Sequence, residues 1–103
     1  MRFRLSKLAY SDLDSIYAYT LAKWGREQAD RYLGTLWDTF DKITAEPERH
    51  KVRDQLYPGS RICFAGRHAI IYRIRESRVE IARVLHDAMD FRRHLSSDFM
   101  AAE

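Results

Sequence analysis

Residues 6–25 read SKLAYSDLDSIYAYTLAKWG and residues 26–47 read REQADRYLGTLWDTFDKITAEP. In the first stretch Ala9, Leu13, Ile16, Thr20 and Trp24 recur at spacings of four, three, four and four, which places them on one side of an α-helix and predicts that all five face inward. Ser6 stands where a hydroxyl can accept one of the unpaired first amides, so the helix is predicted to begin at Lys7. Gly25 is its predicted end, because glycine accepts the left-handed backbone that closes many helices. In the second stretch Ala29, Leu33, Leu36, Phe40 and Ile43 form the stripe, with Tyr32 and Trp37 at its margins. Pro47 forces Glu46 out of helical geometry and stops the pattern. Two helices joined by so short a connection must fold back as an antiparallel hairpin with an apolar inner face.

The remainder of the chain reads as sheet. Arg2 to Leu5 alternates basic and apolar residues and suits a short first strand. Glu48 to Gly59 is polar and ends on the turn signal Pro58-Gly59. Arg61 to Phe64, His68 to Arg75 and Val79 to Leu85 are rich in β-branched and aromatic residues, and the breaks at Ala65-Gly66 and Glu76-Ser77 suit hairpin loops. The third run alternates Val79, Ile81, Arg83 and Leu85 against Glu80, Ala82 and Val84, and one of its faces is expected to meet the helices. After His86 a turn and a short helical tail to Leu95 are predicted. The expected class is therefore α+β, in the order β-α-α-β-β-β, with the hairpin packed on a small, mostly antiparallel sheet.

Composition bounds what such a fold can be. The 103 residues, 46% apolar and 13% aromatic, suffice for one compact core, predicted as a single domain over 1–95 with a flexible tail at 96–103. The single cysteine, Cys63, cannot form an internal disulfide, and no Cys/His cluster has zinc-ligand spacing, so neither metal nor cofactor is expected and a cytoplasmic location is. No membrane span is expected either. Fourteen of the eighteen basic residues are arginine. Net charge is zero over 1–50, +5 over 51–85 and −2 over 86–103, so the excess sits in the strand region and implies an acidic partner.

Several local sequences, in this order, resemble the ParE branch of the RelE/ParE toxin superfamily. They are Leu5-Ser6, Asp12-Leu13 with Ile16, Trp24-Gly25, Gln28-Ala29 with Tyr32-Leu33, and Glu46-Pro47 in the helical part. Gly66-Arg67-His68, Ile71-Tyr72-Arg73, Ile81, Arg83-Val84-Leu85-His86, Asp90 and His94-Leu95 continue them. The resemblance spans nearly the whole chain. It implies a small toxin that is silenced by a ParD-like antitoxin in a hetero-oligomer and acts on DNA gyrase by binding, without turnover chemistry.

The partner-binding candidates on that reading are Trp37, Arg61, Arg67, Arg73, Arg83, His86 and Asp90. The rival within the superfamily is a RelE-like ribosome-dependent mRNA endonuclease, which needs a base, an acid and cations around the reacting phosphate. Arg67, Arg83 and His86, with Arg73 and His68 beside them, would fill those parts. Two plainer readings stand beside these. Arg83 is as well suited to bracing the sheet against the hairpin, and His86 with Asp90 to fixing the turn into the tail. A non-toxic binding module on the same fold is the remaining alternative.

Overall fold

The computed structural model describes residues 3–53 and 58–86. The first strand, β1 (Phe3–Leu5), leads through Ser6 into helix α1 (Lys7–Trp24), and after Gly25 helix α2 (Arg26–Ala45) returns. Strands β2 (Ser60–Ala65), β3 (His68–Arg75) and β4 (Arg78–His86) complete the chain's described order. The sheet runs β1-β4-β3-β2, with β1 parallel to β4 and the later strands antiparallel. The predicted order and class are those observed. The predicted tail helix to Leu95, Asp90 and the 96–103 tail lie outside the described residues.

The helix ends follow from the backbone groups they satisfy. Ser6 caps α1 by accepting the Ala9 amide at 3.0 Å, and its own hydroxyl donates to the Ala82 carbonyl at 2.7 Å. Gly25 has φ +92° and ψ 171°, a conformation close to glycine's own territory. Its amide closes α1 on Leu21, and its carbonyl accepts the Ala29 amide to open α2. The β3–β4 turn is made by Glu76 and Ser77, both at positive φ (53° and 60°), as a two-residue hairpin with right-handed twist requires.

One core lies between hairpin and sheet. Ala9, Leu13 and Ile16 of α1 and Leu36, Phe40 and Ile43 of α2 pack against Cys63, Ile70, Tyr72, Val79, Ile81 and Val84. The opposite sheet face holds a second cluster of Ile62, Ala69, Ile71, Ala82 and Leu85. The simple alternation expected along β4 does not hold. A register shift where Tyr72 pairs with Ile81 but Ile71 with Arg83 inserts an extra residue, so Val84 joins Val79 and Ile81 on the helix side while Ala82 and Leu85 take the other. Trp24 is also corrected: it is 65% exposed. It stands on the last turn of α1, where the chain reverses at Gly25 and α2 turns back toward the sheet.

Candidate partner-binding site

β4 continues for five residues beyond its pairing with the three-residue β1, which leaves backbone groups of its outer edge in need of partners. The start of α1 supplies them. The Ser6 amide donates to the Ile81 carbonyl at 3.0 Å, the Ser6 hydroxyl to Ala82, and the Asp12 carboxylate accepts the Val84 amide at 2.9 Å. The same carboxylate receives Arg83 in a two-pronged pair, Nε to Oδ2 at 2.7 Å and Nη2 to Oδ1 at 2.7 Å, with both side chains 13% exposed. Planar guanidinium and carboxylate match in this geometry, and the shielding from water strengthens it. Arg83 is therefore the brace between sheet and hairpin.

Two more of the sequence-named arginines are held internally. Arg73, 8% exposed, pairs with Glu80 across β3 and β4 at 2.8 Å, and Arg4 reaches the other Glu80 oxygen at 3.3 Å. Arg61 donates to the backbone carbonyls of Glu48 and His50, pinning the segment after α2 onto β2. Much of the positive excess of the strand region is thus spent within the fold.

The other candidates gather at one end of the sheet. The β2–β3 turn carries Gly66 and the exposed Arg67, and the register sets Ala65 opposite His68 and His68 opposite His86. The two imidazoles meet edge to face with centroids 5.5 Å apart, and Tyr32 of α2 lies the same distance from His68. The Tyr32 hydroxyl is 2.6 Å from His68 Nδ1 and accepts the Arg67 amide at 3.1 Å. Gly66 makes room for this contact: it has φ +57°, and a Cβ there would lie 2.7 Å from the Tyr32 oxygen. Phe64, 56% exposed, stands next to the turn. Trp37 lies apart, 41% exposed, with its ring against Phe3 and Phe40 at 5.7 and 5.4 Å. Asp90 lies outside the described residues.

Tyr32 is the residue that sequence reading left in a margin, although Gly66 before Arg67-His68 signals a turn under close approach. Cys63 and Tyr72, in the core, are set toward neutrality. Burial pushes the Cys63 thiol up against the opposing pull of Arg49 and Lys42, and pushes the Tyr72 phenol up to about 12. Tyr72 donates to the Pro47 carbonyl at 2.8 Å. Among the described residues no group of three or more metal-ligating side chains converges, and no helix is long and apolar enough to cross a membrane.

Comparison with known proteins places this geometry. Residues 3–91 match the family model described as the ParE toxin of the type II toxin-antitoxin system parDE. Toxin ParE1 of Caulobacter vibrioides is 42% identical over 93 residues, covering 90% of this chain and 96% of that protein. Toxin ParE1 of Mycobacterium tuberculosis is 37% identical over 95 residues, covering 91% and 97%. Among solved structures, a chain of the chromosomal ParDE system from P. aeruginosa superposes with a TM-score of 0.74 at 19% identity, over 84% of this chain and 95% of that one. A chain of the RelBE2 toxin-antitoxin complex from M. tuberculosis gives 0.59 at 24% identity, over 82% and 95%. The two structures share the fold.

Proposed function

The chain belongs to the ParE toxin family of type II toxin–antitoxin systems, and we propose that it acts by binding, with a ParD-like antitoxin as its silencing partner and DNA gyrase as its target in the cytoplasm. The observation that carries a binding role is the Asp12–Arg83 pair. A phosphate-cleaving site needs a mobile or substrate-facing cation, and the central arginine of β4 is instead saturated by a carboxylate of α1.

The antitoxin has a physical foothold. β2 is a sheet edge, met among the described residues by Val52 opposite Arg61 and by Arg53 at Ser60. Strand addition at a sheet edge is the physical route by which an extended peptide docks on such a fold. Arg67 and Phe64 stand at the β2–β3 turn, the first suited to an acidic peptide and the second to an apolar anchor. Binding to the folded form alone would raise its stability, by about 2.7 kcal/mol at a hundredfold excess over Kd.

A second reading, a RelE-like mRNA endonuclease, rests on Arg67, His68 and His86 lying at one sheet end with Tyr32. Expression without and with a ParD-like protein, sought as the antitoxin in the neighbouring reading frame, tests both. The binding reading expects growth arrest that the neighbour relieves, with intact messenger RNA and accumulating cleaved DNA. Arrest with cut messenger RNA selects the nuclease, and unimpaired growth selects a non-toxic module.

A further inference from the structure

A second group of arginines collects at the end of the sheet away from Arg67. Leu5, Tyr72, Val79 and Ile81 face the hairpin, so strand alternation sets Arg4, Arg73, Arg75, Arg78 and Glu80 together on the opposite face. The register lines them up. Arg4 and Arg73 stand on either side of Glu80, and Arg75 stands directly opposite Arg78 beside the Glu76-Ser77 turn. Glu80 is taken up by its two neighbours, with Arg73 on one oxygen and Arg4 on the other. Even with Glu76 in the turn counted, four guanidiniums face two carboxylates here, within the segment that holds the chain's positive excess. Arg4, Arg75 and Arg78 are exposed, and Arg78 has no ion-pair partner among the described residues. Like charges set directly opposite one another destabilise a hairpin, although any polar residue would satisfy the alternation at either position.

What surrounds these cations selects the anion. The fork of a guanidinium matches phosphate as well as carboxylate. A protein partner is held mainly by aromatic and apolar anchors, and a single nucleic-acid strand by aromatic rings on which its bases stack. Neither is present at this end among the described residues: Tyr10, Tyr19, Leu21, Trp24 and Trp37 are the exposed large apolar side chains of the hairpin, and Phe64 pairs with Ala69 at the far end of β2. Three exposed guanidiniums spread over three neighbouring strands, about 10 Å across, suit a duplex backbone, which carries a negative charge for every ~1.7 Å of its axis.

We propose that Arg4, Arg75 and Arg78, at the β3–β4 turn end of the sheet face away from the hairpin, dock on the phosphate backbone of double-stranded DNA. The contact positions the chain on a duplex and reads no bases. It goes beyond the toxin reading and uses none of the residues gathered around Tyr32, so the two stand or fall separately.

Fluorescence anisotropy of a short labelled DNA duplex titrated with the full chain tests this. Three phosphate contacts give a slope of about −2.7 for log affinity against log salt, so binding should weaken about fortyfold between about 50 and 200 mM salt. Arg78→Gln removes one contact, and the same interval should then cost only about twelvefold. Two duplexes of unrelated sequence should bind alike. Arg31→Gln, which takes the same charge off the hairpin, should leave the slope as it is. Arg78→Gln should also hold or raise the melting temperature, because it relieves the opposition to Arg75, a split that a merely structural arginine does not produce. A slope unmoved by Arg78→Gln and by Arg75→Gln, or moved as much by Arg31→Gln, overturns the proposal. Tighter binding of polyglutamate, of a single strand or of phosphatidylglycerol vesicles than of the duplex overturns it as well by assigning the face to another occupant. Duplex binding by a chain that leaves gyrase unaltered upholds this proposal and removes the gyrase reading.

Discussion

Asp12→Ala removes three acceptor contacts at once: two from Arg83 at 2.7 Å and one from the Val84 amide at 2.9 Å. The guanidinium stays 13% exposed, so water replaces the lost carboxylate poorly. Breaking one side of a well-shielded ion pair costs about 3 kcal/mol at the lower end of the usual range. The orphaned amide adds about 1 kcal/mol, giving a loss of about 4 kcal/mol. Urea unfolding followed by tryptophan fluorescence reads this directly. With m of about 1.5 kcal/mol per molar, the midpoint should fall by about 2.7 M with m unchanged. Arg83→Met should cost less, about 2 kcal/mol, because the Asp12 carboxylate keeps the Val84 amide as a donor whereas the guanidinium left by Asp12→Ala loses both of its contacts to Asp12. Combining Asp12→Ala with Arg83→Met should be milder than the two single changes added together, by about 1 kcal/mol or more. A loss below about 1 kcal/mol for Asp12→Ala, or strict additivity, would refute the bracing role.

Gly66→Ala should destabilise by about 2 kcal/mol, from positive φ and the clash with Tyr32, and much less in a Tyr32→Ala background if the two share one contact; chemical denaturation of the four proteins decides it. Trp24→Ala should change stability by less than about 0.5 kcal/mol, while Trp37→Ala, which strips packing from Phe3 and Phe40, should cost about 1–2 kcal/mol. The Tyr72 phenol ionises near 10 unfolded and at about 12 folded. Its contribution is thus whole below pH 10 and lost as pH rises from about 10 to 12. Tyr72→Phe should cost about 1 kcal/mol at neutral pH and flatten the alkaline decline of the melting temperature.

The two helices were legible because their determinants are local: a capping serine, two stripes, a glycine and a proline lie within 42 residues of one another. Strand positions were legible for the same reason, through composition and turn signals. Trp24 misled because it stands three residues after Leu21 and four after Thr20, so it fits the exposed stripe and the buried one equally, and only the reversal at Gly25 decides between them. The β4 bulge left no mark on the alternating pattern. The arginines show the larger limit. Arg83 and Asp12 are 71 positions apart, and nothing in either neighbourhood reveals that the sheet edge outruns β1 and brings them together. Residue type announced cations in the strands, and topology alone determined that Arg61, Arg73 and Arg83 face inward partners while Arg67 does not.

Titration of the purified chain into a gyrase supercoiling reaction, with cleaved DNA as readout, tests the binding account most directly. It predicts that cleaved DNA accumulates and saturates near one toxin per gyrase site, and that folded Arg83→Met retains the effect. Unaltered gyrase together with repeated cutting of ribosome-bound messenger RNA, abolished by Arg83→Met or His86→Ala, would contradict it.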